Sequence, residues 1–263
     1  MRVALWTIVG VAIAATVARY ALSIAMGLAD DTAGATVLTV VSLAAGGWLA
    51  GRAVTRRIGL VFVVSGLLGS IEPVFWLWER VGPPFPEIGN EIGFDGWLTY
   101  WVWIPQVLLI PLIAMSLYPD GRVRRRSVMA VAAAAVVTAS FTGATHNWPR
   151  SDGGAHGNPL SLPLGPARLL LAATPVLVAI ALMVVLVSLV ARRPAGDQVT
   201  RRLLLIPYAV AAAALLHLSS MRFLPDVARD LRWTLVLLVA ASAVGLSRAT
   251  DAQPEPSTLS ARS

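Results

Sequence analysis

Residues 169–191 read LLLAATPVLVAIALMVVLVSLVA, an apolar stretch without a single charged side chain. A helix of about 20 such residues crosses the hydrocarbon core of a bilayer, which is roughly 30 Å thick. Backbone groups left unpaired in lipid cost several kcal/mol each, so a run of this kind favours an α-helix, whose hydrogen bonds are all internal. The stretch therefore predicts a transmembrane helix.

The rest of the chain has the same character. Of its 263 residues, 57% are hydrophobic and 13% are charged, and the mean hydropathy is +0.72. An average soluble domain has about twice this fraction of charged residues, so the composition excludes a water-soluble globule and a disordered chain. Cysteine is absent, which excludes disulfides, thiolate metal sites and a cysteine nucleophile.

Eight segments are apolar enough to cross a membrane: residues 3–28, 35–50, 58–78, 97–118, 128–145, 168–191, 203–219 and 233–246. The second and the eighth are only about 15 residues long, so seven spans is the alternative count. None of the segments alternates in the way that a membrane β-strand does. We predict an all-α, polytopic membrane helix bundle over residues 1–247, followed by a polar, disordered cytoplasmic tail over residues 248–263.

The arginines indicate the orientation. If the N-terminus is cytoplasmic, 14 of the 21 arginines fall in cytoplasmic segments and six on the opposite side. Because positive residues accumulate on the cytoplasmic side, we predict that both termini are cytoplasmic and that the chain lies in the inner (cytoplasmic) cell membrane. The net charge of +7 comes from short arginine clusters between apolar runs, so the expected partner is the lipid bilayer and not nucleic acid.

Three ionisable residues lie inside predicted spans: Arg19, Glu72 and His217. Ionisable groups in a membrane are costly when they face lipid, so they usually face the bundle and pair with one another. At about 1.5 Å per residue, Arg19 lies about 24 Å along its span, and Glu72 and His217 each about 21 Å. We therefore predict that Arg19 pairs with Glu72 in the outer part of the membrane. The pair is either structural or part of a ligand-binding polar cluster with His217.

A turn and an arginine cluster follow the fourth span. Pro119 ends the helix, Asp120 caps local backbone amides, and Gly121 supplies a positive φ. Two interpretations are open: a loop that only sets topology, or a contact surface for lipid headgroups or a cytoplasmic partner. The contact surface would comprise Asp120, Arg122, Arg124, Arg125 and Arg126.

Catalytic and metal-binding patterns are missing. His146, His156 and Asp152 share a glycine-rich outer loop, but they lack the spacing and the third fixed ligand of a known metal site. The sequence has no zinc-protease, nucleophile-elbow or phosphate-loop motif. We therefore predict a protein that is not an enzyme and that needs no metal or cofactor.

Short motifs resemble one family. Residues 117–122, LYPDGR, resemble the LFPDGR turn in the N-terminal multi-pass membrane region of actinobacterial sensor histidine kinases. Residues 57–60 (RIGL), 157–160 (GNPL) and 200–204 (TRRLL) resemble further motifs of that region in the same order. The resemblance extends from residue 52 to residue 216.

The resemblance implies a sensor or input region without the kinase domain, because only residues 248–263 follow the last predicted span. Such a protein would signal through or assist a separate histidine kinase or response regulator. The alternative is a small transporter or permease subunit with an ABC-type ATPase as its partner. Pro105 and Pro111 interrupt the fourth span and Pro207 the seventh, but the two halves show no convincing repeat. The oligomeric state is left open.

The arginine distribution makes the topology testable with reporter fusions. Fusions after Arg57, Arg126, Arg202 and Ser263 should report a cytoplasmic location, whereas fusions at Gly89 and Gly154 should report an external one. An external C-terminus would mean that one span has been miscounted, with the short eighth span the first suspect.

Overall fold

The computed structural model describes residues 2–27, 33–81, 94–118, 121–146, 158, 160–191 and 212. Within these ranges the chain consists of helices joined by turns and short irregular segments, and it contains no strand. The helices are α1 (Arg2–Ala25), α2 (Ala33–Ala50), α3 (Arg56–Val81), α4 (Phe94–Leu108), α5 (Met115–Leu117), α6 (Arg126–Thr145) and α7 (Leu164–Ala191). A π-helical segment, Leu109–Ala114, joins α4 to α5.

Five described helices are long and apolar enough to cross a membrane: Val3–Ala25, Ala33–Ala50, Arg56–Trp78, Arg126–Thr145 and Leu164–Ala191. A shorter apolar helix, Trp101–Leu117, runs through α4, the π-helical segment and α5. The all-helical prediction is confirmed for the described residues. The seventh and eighth predicted spans lie outside them, apart from residue 212, as does the tail. The count of eight and the orientation of both termini therefore stay predictions.

Contacts between helix ends show that α1, α2 and α3 alternate in direction along the chain, so that α1 and α3 run parallel to each other. Leu5 near the start of α1 lines one cleft with Ala50 at the end of α2 and Leu60 near the start of α3. Further along, Arg19 of α1 reaches Glu72 of α3. The turn at Gly121 follows α5 and lies against the loop between α2 and α3. Two arginine-rich loops, residues 51–57 and 121–126, thus meet at one end of the bundle, which we call the arginine end.

Glycines bring α2 and α3 into backbone contact. A Cβ atom on Gly46 would lie 2.6 Å from the Val63 backbone nitrogen, and one on Gly59 would lie 2.6 Å from the Leu49 carbonyl carbon. Small residues allow such close approach, and van der Waals packing of this kind drives helix association in lipid. At these two glycines, α2 and α3 therefore pack backbone against backbone.

The remaining helices pack around this pair in two clusters of buried apolar side chains. The larger cluster includes Leu49, Phe62, Leu112, Met115 and Leu182, and it joins α2, α3, the α4–α5 segment, α6 and α7. The smaller cluster contains Val9 and Ala12 of α1, Leu43 of α2 and Val63 of α3. Helix α1 thus docks on the α2–α3 pair through a small apolar surface.

The glycine contacts predict a stability difference between two alanine substitutions. Gly59→Ala should destabilise the bundle by about 2 kcal/mol, because the new methyl group overlaps backbone atoms that cannot move aside. Gly10→Ala is the matched control in α1, where a Cβ atom would have no neighbour within 4 Å. It should stabilise by up to about 1 kcal/mol through helix propensity. Thermal unfolding in detergent measures both, and equal melting temperatures would contradict the packing argument.

Candidate functional site

A polar stripe on α1 faces the bundle. Thr16, Arg19 and Ser23 are spaced three and four residues apart, which places them on one helix face, and all three are buried. The Thr16 hydroxyl donates to the Ala12 carbonyl at 2.8 Å, and the Ser23 hydroxyl donates to the Arg19 carbonyl at 3.0 Å. Both hydroxyls donate their hydrogen bonds within α1, so Arg19 is the residue of this stripe that contacts another helix.

Arg19 forms an ion pair with Glu72 of α3. The Arg19 Nη2 atom donates to the Glu72 Oε1 atom at 2.6 Å, so the predicted pairing is confirmed. The Arg19 guanidinium also lies over the Trp76 ring, 5.8 Å from its centroid. Trp76 follows Glu72 by four residues, so one face of α3 supplies both the carboxylate and the aromatic ring.

The two partners differ in exposure. The Arg19 side chain is 9% exposed, and its Nε atom is buried without a hydrogen-bond partner. The Glu72 side chain is 44% exposed. Arginine keeps its charge in proteins, so an incompletely bonded guanidinium in this position is costly. Glu72 is therefore the more accessible member of the pair.

The other predicted site residues are distributed as follows. His217, Asp120, Asp152 and His156 lie outside the described residues, so the three-residue cluster with His217 stays a prediction. Gly121 has the predicted positive φ, 68°, and its N–H donates to the Leu117 carbonyl at 2.8 Å. The predicted contact residues Arg122, Arg124, Arg125 and Arg126 are all exposed at the arginine end. In the described ranges, no group of three metal-binding side chains is close enough to hold an ion.

A second polar contact lies inside the bundle, and the sequence did not predict it. The Gln106 side-chain amide donates to the Thr39 hydroxyl at 3.1 Å, and the Ser65 hydroxyl donates to the Gln106 backbone carbonyl at 2.8 Å. All three residues are buried, and they join α4, α2 and α3. Gly69 leaves room for the amide, because a Cβ atom there would lie 2.7 Å from the Gln106 Cδ atom.

The helix changes register directly after this contact. The π-helical segment Leu109–Ala114 contains Pro111, which has no N–H and whose ring conflicts with the Val107 carbonyl in a regular α-helix. A wider π turn removes that conflict. The sequence does carry a signal for the irregular helix, because Pro105, Gln106 and Pro111 interrupt one apolar span. This signal does not identify the partners of Gln106.

Comparison with known proteins identifies no relative of this chain. The chain matches no protein-family model, and no curated protein or solved structure shows significant similarity to it.

The ion pair predicts non-additive stability effects. Arg19→Leu and Glu72→Leu should each lower the free energy of unfolding by about 2 kcal/mol, somewhat less than a fully buried pair because Glu72 is half-exposed. The double variant should lose less than either single variant, since it leaves no unpaired charge in the bundle. Thermal melts of the three variants in detergent provide the comparison. Strictly additive losses would show that the two charges do not stabilise one another.

Proposed function

We propose that this chain is a non-enzymatic, multi-pass protein of the cell membrane that acts as a sensor-like input unit for a separate signalling partner. The observation that carries the proposal is the Arg19–Glu72 pair, whose arginine is buried with an unpartnered Nε atom. Ionisable residues within membrane spans are expensive and usually mark functional sites. An incompletely satisfied pair is also easier to rearrange than a fully bonded one.

Helix α3 connects this pair to the arginine end. It begins at Arg56 and carries Glu72 in its second half, so both features belong to one continuous helix. Disruption of the pair removes the one described ion pair between α1 and α3. A change in how α1 and α3 pack is therefore the signal that we assign to this protein, and α3 is the element that would carry it.

The arginine end supplies the proposed contact with a partner. Arg122, Arg124 and Arg125 are exposed, and they follow Gly121, which lies against Val54 and Arg57 at the start of α3. Under the predicted topology this end is cytoplasmic, and a positive surface attracts acidic partners and raises their association rate. A histidine kinase or a response regulator is the partner that the sequence resemblance favours.

A transporter or permease subunit is the second candidate, and the π-helical segment favours it. Transporters bind substrates where spanning helices are broken and polar groups face the interior. Gln106, Thr39 and Ser65 lie next to such an irregular segment. An ABC-type ATPase would then be the expected partner.

The two candidates differ in the partner that co-purifies with the full chain. After cross-linking in native membranes, the sensor proposal expects a histidine kinase or a response regulator, whereas the permease proposal expects an ATPase subunit. Glu72→Gln should change the phosphorylation of a signalling partner, because it removes the charge that holds Arg19. Gly10→Ala is the control and should leave it unchanged.

The purified chain gives a further check. It should incorporate no phosphate from ATP, because its sequence contains no phosphate-binding loop. Phosphate on a histidine, or an ATPase as the captured partner, would overturn the sensor proposal.

A further inference from the structure

A cleft of about 220 Å³ opens at the arginine end, beside the turn between α2 and α3. It is lined by Leu5, Ala50, Gly51, Arg52, Ala53, Arg56 and Leu60. Two arginines and two leucines thus line one cavity, and its described lining includes no acidic residue. The Arg122–Arg126 loop, which the sequence singled out, does not contribute to this lining.

The position of Arg52 is fixed by an aromatic ring. Its guanidinium lies over the Trp48 ring, 4.6 Å from the centroid. Tryptophan at the end of a spanning helix sits at the level of the lipid headgroups. A guanidinium stacked on such a ring is held at the same depth, where phosphate groups are found.

Arg56 adds positive charge on the opposite side of the turn. It is the first residue of α3, so the positive end of that helix lies beside it. The turn itself is held in place, because the Thr55 hydroxyl donates to the Leu49 carbonyl at 2.9 Å. The two cationic groups are therefore carried by a fixed turn and not by a free loop.

We propose that this cleft binds the headgroup phosphate of an anionic phospholipid between Arg52 and Arg56. One acyl chain lies along the apolar wall formed by Leu5 and Leu60. The combination of charges and apolar surface favours a lipid over a soluble anion. Leu60 is 41% exposed, so an apolar surface that an acyl chain can contact lies beside the two arginines.

The test uses the purified full-length chain in a neutral detergent, titrated with fluorescent phosphatidylglycerol or phosphatidylcholine. Phosphatidylglycerol should bind roughly tenfold more tightly, and the Arg52→Gln/Arg56→Gln double variant should lose about that advantage. The control, Arg168→Gln, removes an exposed arginine of α7 that belongs neither to the cleft nor to the two arginine-rich loops. It should change the affinity by less than about twofold.

A charge-neutral variant keeps the proposal falsifiable if the arginine variant does not fold. Leu60→Trp fills the cleft without altering charge, and it should also weaken phosphatidylglycerol binding while the thermal melt stays close to wild type. Unchanged binding in this variant would overturn the proposal, as would an equal loss of affinity in Arg168→Gln and in the double-arginine variant. Displacement of the labelled lipid by inorganic phosphate would show a soluble-anion site and reject the lipid assignment.

Discussion

Helices that associate within a bilayer gain little from the hydrophobic effect, because the lipid tails are as apolar as the side chains that they replace. Close packing must therefore supply much of the attraction, and in this chain Gly46 and Gly59 provide it by bringing α2 and α3 into backbone contact. Helix α3 also contacts α1, α4 and the π-helical segment. The position of α3 consequently decides where the ion pair, the interior polar contact and the cleft at the arginine end can form.

The two faces of α3 are held by different kinds of interaction. On one side, a large apolar cluster joins it to the α4–α5 segment, α6 and α7. On the other side, α1 contributes Val9 and Ala12 to the smaller buried cluster, Leu5 and Ile13 pack against it, and Arg19 adds the ion pair with Glu72. A helix held by few apolar contacts opens at lower free energy than the core does. Helix α1 is therefore the described element whose packing a ligand at Glu72 can change most easily.

Much of this fold could be predicted from the sequence, because length and hydropathy decide which segments can cross a membrane. The first six predicted spans coincide with the described apolar helices, and helix rise alone placed Arg19 and Glu72 at similar depths. The Gln106 contact could not be predicted in the same way. Serine and threonine hydroxyls in a helix can donate to a backbone carbonyl of the same helix, as Thr16 does. Their presence in the sequence therefore does not reveal a partner on another helix. The cleft depends on the shape of a turn, which hydropathy does not describe.

The two arginine-rich loops contact each other, and this contact places the proposed lipid cleft beside the proposed partner surface. Gly121 lies so close to the first loop that a Cβ atom there would approach the Val54 carbonyl oxygen to 2.9 Å. Thr55 anchors the same loop to the end of α2. The proposed headgroup site between Arg52 and Arg56 therefore lies on a turn that contacts both the end of α2 and Gly121. The proposed lipid cleft and the proposed partner surface are carried by loops that pack against each other, so a change in one loop meets the other directly.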